Sequence, residues 1–190
     1  MGQPRDAFWR LRGLSFFDVV FLRKRVRVMA SASQDDSSAK ALIDAAFVCD
    51  FVRVRELLAA GVDPNVRDED GRTPLFSAVL GNSVGLVGLL LESGADVNAH
   101  DNQGFTTLHF CAQEDLPVMA RLLVSKGADV NAQDEDGSSV LWRAIFSERG
   151  RGDLLEILIS AGAKPDLPNK AGESARALAE RLGIGTFNVN

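Results

Sequence analysis

Side chains suited to chemistry are scarce in this 190-residue chain: His100 and His109, Cys49 and Cys111, and no tyrosine. Clustered His and Cys would hold a metal, and a Cys beside a His would make a nucleophile. His109 and Cys111 lie two residues apart on one predicted helix, which puts them on different sides of it. The cysteines show no Cys-x-x-Cys spacing and no disulfide framework. They read as small buried apolar residues in a reducing compartment, with a metal pair or a reactive thiol as the alternative. Asp and Glu are plentiful, at 26, but no Gly-x-Ser-x-Gly, phosphate loop or His-Glu-x-x-His accompanies them. The expectation is a non-enzyme with no catalytic residue, no metal and no cofactor.

Many of the carboxylates sit in phrases that recur every 33 residues. Asp-Gly-Arg-Thr-Pro-Leu starts at Asp70, Gln-Gly-Phe-Thr-Thr-Leu at Gln103 and Asp-Gly-Ser-Ser-Val-Leu at Asp136. A second phrase keeps step: Ala-Gly-Val-Asp-Pro-Asn from Ala60, Ser-Gly-Ala-Asp-Val-Asn from Ser93, Lys-Gly-Ala-Asp-Val-Asn from Lys126 and Ala-Gly-Ala-Lys-Pro-Asp from Ala161. A period of this size means stacked units, none of which buries its core alone. Such stacks serve as surfaces for other proteins rather than as clefts for chemistry.

The unit from Asp68 to His100 predicts its own local structure. Gly71 suits a turn with positive φ. Thr73 offers a side-chain oxygen to a helix start, and Pro74 follows where its missing N–H costs nothing. Leu75, Ala78 and Val79 recur at helical spacing as a buried face. A break near Gly81 and Asn82 precedes a second helix through Val84, Leu86, Val87, Leu89, Leu90 and Leu91, which Gly94 ends in the left-handed conformation. Ala95 to His100 is an extended arm into the next turn.

The Gly-x-Thr-Pro-Leu and Gly-Ala-Asp-x-Asn phrases at this period resemble ankyrin repeats. The resemblance implies an all-α solenoid of stacked helix-turn-helix units joined by hairpin arms. Its units run 35–67, 68–100, 101–133, 134–168 and 169–185, after an extension over 1–34 and before a tail at 186–190. The first unit has Ser38 in place of the turn glycine. The last is truncated, with Gly172, Ser174 and Ala175 in the Gly, Thr and Pro positions. Polar outer faces are expected from Lys40, Asp44, Arg53 and Arg55 at one end and from Arg176, Glu180 and Arg181 at the other. Thr107, Ser139 and Val140 replace Thr-Pro residues, so those helix starts should be less sharply defined. The fourth unit is two residues longer, through a charged, glycine-rich loop from Glu148 to Asp153 that reads as mobile.

The resemblance also implies where a partner would sit: on the turn tips and the concave first-helix face. The matching positions include Glu69, Asp70, Arg72, Gln103, Phe105, Glu135 and Asp136 at the tips. Phe47, Leu80, Gln113, Glu114 and Phe146 match the ends of the first helices. Phe105 at a tip, and Phe47, Leu80 and Phe146 at places the family leaves exposed, would form an apolar stripe rimmed by carboxylates. The alternative is that Phe105 folds back on its arm and that Phe47 and Phe146 thicken the core. Trp142 and Phe76 stand where the family usually has His, and Trp142 is counted with the partner-binding residues. His109 keeps that residue, which implies a structural role tying adjacent turns together.

Charge is unevenly spread. Residues 1–28 hold seven Lys/Arg and two Asp/Glu, and residues 29–190 hold 14 and 24. The acidic body would repel a phosphate backbone, so nucleic acid is not expected as a partner. The apolar run Leu14–Leu22 is too short to span a bilayer. Its basic cluster Arg23–Arg25 and Arg27 argues against a secretory signal, and Asp6 breaks the myristoylation pattern. Three readings of residues 1–28 stay open: Met29 as the true start, a disordered or loosely helical extension, or a basic-apolar membrane anchor. Residues 31–38 read as a linker ending in helix caps. The function expected is a monomeric, cytoplasmic, non-catalytic adaptor, scaffold or inhibitor that binds a protein. The alternative is a membrane-associated regulator anchored by residues 1–28.

Overall fold

The computed structural model describes residues 34–147 and 152–184, and it describes side chains from Ser37 onward. The chain divides into two units, 1–37 and 38–190. The calls on residues 1–28 and on the loop at 148–151 lie outside the described residues. Among those residues there are nine helices, in order α1 (Gln34–Phe47), α2 (Phe51–Ala59), α3 (Pro74–Leu80), α4 (Val84–Glu92), α5 (Thr107–Glu114), α6 (Pro117–Ser125), α7 (Val140–Phe146), α8 (Asp153–Ser160) and α9 (Ala175–Arg181). They alternate as first and second helices of successive units. First helices pack on first helices (α3 on α5, α5 on α7, α7 on α9), and α6 packs on α8. The core between them is aliphatic: Leu75, Val79, Leu86, Leu90, Leu108, Leu123, Leu141, Leu154, Leu158 and Leu178 are fully or almost fully buried. Each such side chain contributes roughly 1.5–3 kcal/mol of transfer free energy.

Each recurring phrase has a bonding job. In the hairpins Asp68, Asp101, Asp134 and Asn169 close the turn twice over. Their backbone N–H groups bond to Arg72, Phe105, Ser138 and Glu173 carbonyls at 2.9–3.1 Å. Their Oδ1 atoms each accept two further N–H groups, as Asp134 does from Asp136 and Ser138, both at 2.9 Å. Gly104 lies between, at φ 76. A Cβ there would also stand 2.7 Å from the Glu135 nitrogen, so both the torsion and the neighbouring hairpin require glycine. Tips then join one another: Asn102 N–H to Asp70 O, Glu135 N–H to Gln103 O and Lys170 N–H to Asp136 O, at 2.9–3.0 Å. The second phrase supplies a parallel ladder. Asn98 donates to Gly127 O and accepts from Asp129 N–H. Asn65 and Asn131 repeat the pattern to Gly94 and Asp96, and to Gly162 and Lys164.

Three expectations about helix starts are corrected. Residues 34–38 belong to α1 rather than to a linker, and Ser38 lies inside that helix, not in a turn. Thr73 makes no capping bond to α3, and its hydroxyl is buried without a partner; the fixed φ of Pro74 starts that helix instead. Among α3, α5, α7 and α9 the proline-free starts are the better capped ones. Thr106 accepts from His109 N–H, and Ser139 from Trp142 N–H at 3.2 Å.

At the far end of each of the first three units a first helix hands over to a second through one left-handed residue. These are Cys49 (φ 57), Asn82 (φ 49) and Asp115 (φ 53), themselves 33 residues apart. The helices run antiparallel, so these corners and the hairpins occupy opposite edges of the stack.

Candidate functional site

The hairpin edge presents carboxylates on a fixed frame. Glu69, Asp70, Gln103, Glu135 and Asp136 are exposed at the tips, while the aspartates behind them, Asp101 and Asp134, are buried. Burial of a carboxylate is tolerable only with full pairing. Asp134 meets this through two backbone N–H groups on one oxygen and Arg143 on the other, at 2.8 Å from Nε and 2.7 Å from NH2. Arg72, one of the expected partner-binding residues, points back into the same framework, 3.7 Å from Asp101 and 3.8 Å from Asp70.

Between the third and fourth units the first-helix face carries an aromatic cluster. The Arg143 guanidinium lies 4.6 Å over the Phe105 ring and 5.5 Å from Trp142. Trp142 stacks on Phe146 at 4.9 Å and 13°. Phe146 is 39% exposed, Phe105 and Phe47 are half-buried, and Trp142 is buried with its indole N–H lacking an acceptor. Gln113 and Glu114, half-buried, end α5 beside this cluster, and Ser147 donates to Gln113 O at 2.7 Å.

Leu80 is corrected from surface to core, at 2% exposure. Every residue of α3 is buried. At the helix end Gly81 lets the preceding corner approach so closely that a Cβ would stand 2.6 Å from the Cys49 Sγ. Phe105 likewise lies under Arg143 rather than standing free. Arg143 is a residue that sequence reasoning passed over; its signal was a lone arginine among the apolar residues of α7.

His109 is a rivet between units. Its Nδ1 accepts from Thr106 N–H at 3.2 Å, so the proton sits on Nε2, which donates to Ser138 O at 3.3 Å in the next hairpin. Burial lowers its pKa from 6.5 to about 4, outweighing the opposing pull of Asp134. Cys111 is wholly buried, which pushes its thiol pKa up. Among the described residues no group of three or more His, Cys, Asp or Glu is placed to hold a metal, and no helix is long and apolar enough to cross a membrane.

The sequence matches the family described as Ankyrin repeats, in three copies over residues 29–134, which is more than half of the chain. This chain belongs to the ankyrin-repeat family. Ankyrin repeats are protein–protein interaction modules, and the family is typically non-catalytic. No curated protein matches the sequence. The matched span stops at residue 134, yet ankyrin-type hairpins and helices of the same form continue through Asn169–Glu173 and α9.

Proposed function

We propose that this ankyrin-repeat protein is a non-catalytic adaptor, scaffold or inhibitor. It acts as a monomer that holds a protein partner across its first-helix face and hairpin tips. The observation that carries this reading is the pairing of exposed tip carboxylates with the stacked pair Trp142–Phe146 on a frame fixed by tip-to-tip bonds. A preformed surface loses little conformational freedom on binding. Its chemistry suits a partner segment with an apolar anchor flanked by Lys or Arg.

Affinity capture from the native source, run in parallel with wild type, Phe146→Ala and a Glu69→Gln/Asp70→Asn/Glu135→Gln/Asp136→Asn variant, tests it. A genuine partner is enriched by wild type and lost by both variants, with thermal unfolding little changed. Phe146→Ala should weaken the purified pair tenfold or more, about 1.4 kcal/mol or beyond. A partner kept equally by all three proteins removes this surface.

A further inference from the structure

The joint between the third and fourth units closes on itself through a circuit of contacts. His109 Nδ1 accepts from Thr106 N–H, and its Nε2 donates to Ser138 O. Ser138 N–H donates to Asp134 Oδ1 at 2.9 Å, and Asp134 Oδ2 holds Arg143. The Arg143 guanidinium covers Phe105, whose ring lies 5.4 Å from the His109 ring and is tilted 47° to it. Phe105 precedes Thr106 in the chain, which completes the circuit. Phe76 and Trp142, at the equivalent positions of the neighbouring units, bring no titratable ring.

The circuit holds only while Nδ1 carries no proton, because an imidazolium has two donors and no acceptor. The Thr106 hydroxyl, 2.9 Å from Nδ1, can turn to accept from it. The Thr106 amide cannot turn. It would face an N–H instead of a lone pair, at a residue only 6% exposed, and a buried N–H left unpaired is costly. The new charge would also share the Phe105 ring with Arg143, one cation against another. Asp134 pulls the other way, but both its oxygens are already engaged. The other ionisable groups on the surrounding elements do not offset this. Helix α3 contains none, and Arg121 of α6 is exposed. Asp101 is taken up by N–H groups of its own hairpin. On α5 itself Cys111 is wholly buried as a neutral thiol, and Glu114 lies more than a turn further on. We infer that His109 is an acid-sensitive catch: taking up a proton releases Thr106, draws Phe105 from beneath Arg143 and loosens the joint between the third and fourth units while the helices stay folded. This is a property of the joint itself and does not depend on what the first-helix face binds.

The test is an NMR titration of the full chain, labelled at the phenylalanine rings, the arginine Nε atoms and the leucine methyls, from pH 7 down to about pH 3. The Phe105 ring and Arg143 Nε–H should shift together with one midpoint near pH 4, the value to which burial lowers His109. Over the same range the methyls of the core residues Leu86 and Leu90 should keep their native positions. His109→Phe, which copies Phe76, should abolish the Phe105 and Arg143 transition. His109→Gln should do the same, and carries the test if the phenylalanine variant fails to fold. His100→Gln, at the other histidine, should leave the transition as it is in wild type. A transition that survives without His109 would belong to the carboxylates around Asp134 and would overturn the catch. So would a Phe105 shift seen only as every native signal is lost, or a Phe105 ring that stays in place while His109 titrates.

Discussion

At the hairpin edge neighbouring units are joined by backbone bonds from tip to tip and by the Asn65, Asn98 and Asn131 ladder. At the corner edge the links between units are of another kind. The Cys49 thiol donates to Gly81 O at 3.6 Å, the Ser147 hydroxyl donates to Gln113 O, and Phe51 lies over Gly85. Backbone bonding fixes distance and direction, so residues there must repeat from unit to unit. Side-chain packing accepts many solutions, and the left-handed corner residue is a cysteine, an asparagine and an aspartate in turn. The difference teaches that one edge sets the geometry of the stack. The other is free to vary its chemistry.

The sharpest way to break this comparison is at the hairpin glycines. Gly104 and Gly172 have similar torsions, φ 76 and φ 80. Gly104 is pressed against Glu135 N, whereas Gly172 has nothing within 4 Å of its virtual Cβ. Gly104→Ala should cost on the order of 3–5 kcal/mol, from the left-handed torsion plus displacement of the next hairpin. Gly172→Ala should cost about 1–2 kcal/mol, from the torsion alone. Denaturant unfolding of both variants measures the gap; equal losses would mean that tip-to-tip contact does not hold the edge.

A second effect, about 3 kcal/mol, belongs to His109. The unfolded chain takes up this proton near pH 6.5 and the folded chain near 4. Above pH 6.5 both states keep the ring neutral and its full contribution is present. As pH falls from 6.5 to 4, the unfolded state alone gains the proton, and stability declines by about 1.4 kcal/mol per pH unit. Below 4 both states are protonated and the slope ends. His109→Phe, copying the residue at Phe76, removes this slope. Urea titrations of wild type and variant at pH 7 and pH 4.5 should therefore show the wild type losing more of its stability on acidification. Parallel losses would show that the Ser138 rivet is not the titrating feature.

How much of this was legible in the sequence follows the same division. The hairpin edge was readable, because the Asp–Gly turns and Asn ladder need identical residues at identical spacing, and identity is what a repeat search detects. His109 as a tie between turns was readable only through the family resemblance, because Phe76 and Trp142 hold the equivalent positions. The corner edge was not. Cys49, Asn82 and Asp115 share a torsion but no side-chain chemistry, and Val52, Gly85 and Val118 share a register but no size. Phe105 was misplaced by the same limit: it is covered by Arg143, distant in sequence. Arg143 itself was hidden, because its partner Asp134 looked like one more turn residue.

The smallest expected effect tests the corner directly. Cys49 holds φ 57, a torsion that side chains other than glycine, asparagine and aspartate adopt at a cost. Its thiol returns only one long contact to Gly81 O. Asparagine already occupies the equivalent corner at Asn82, where its amide tolerates the left-handed region. Cys49→Asn should therefore raise stability by about 0.5–1 kcal/mol if the corner is governed by its own torsion. Should the substitution instead destabilise by more than that, the close approach of Cys49 to Gly81 would be the governing contact. The corner edge would then be coupled between units as tightly as the hairpin edge, and the contrast between the two would fall.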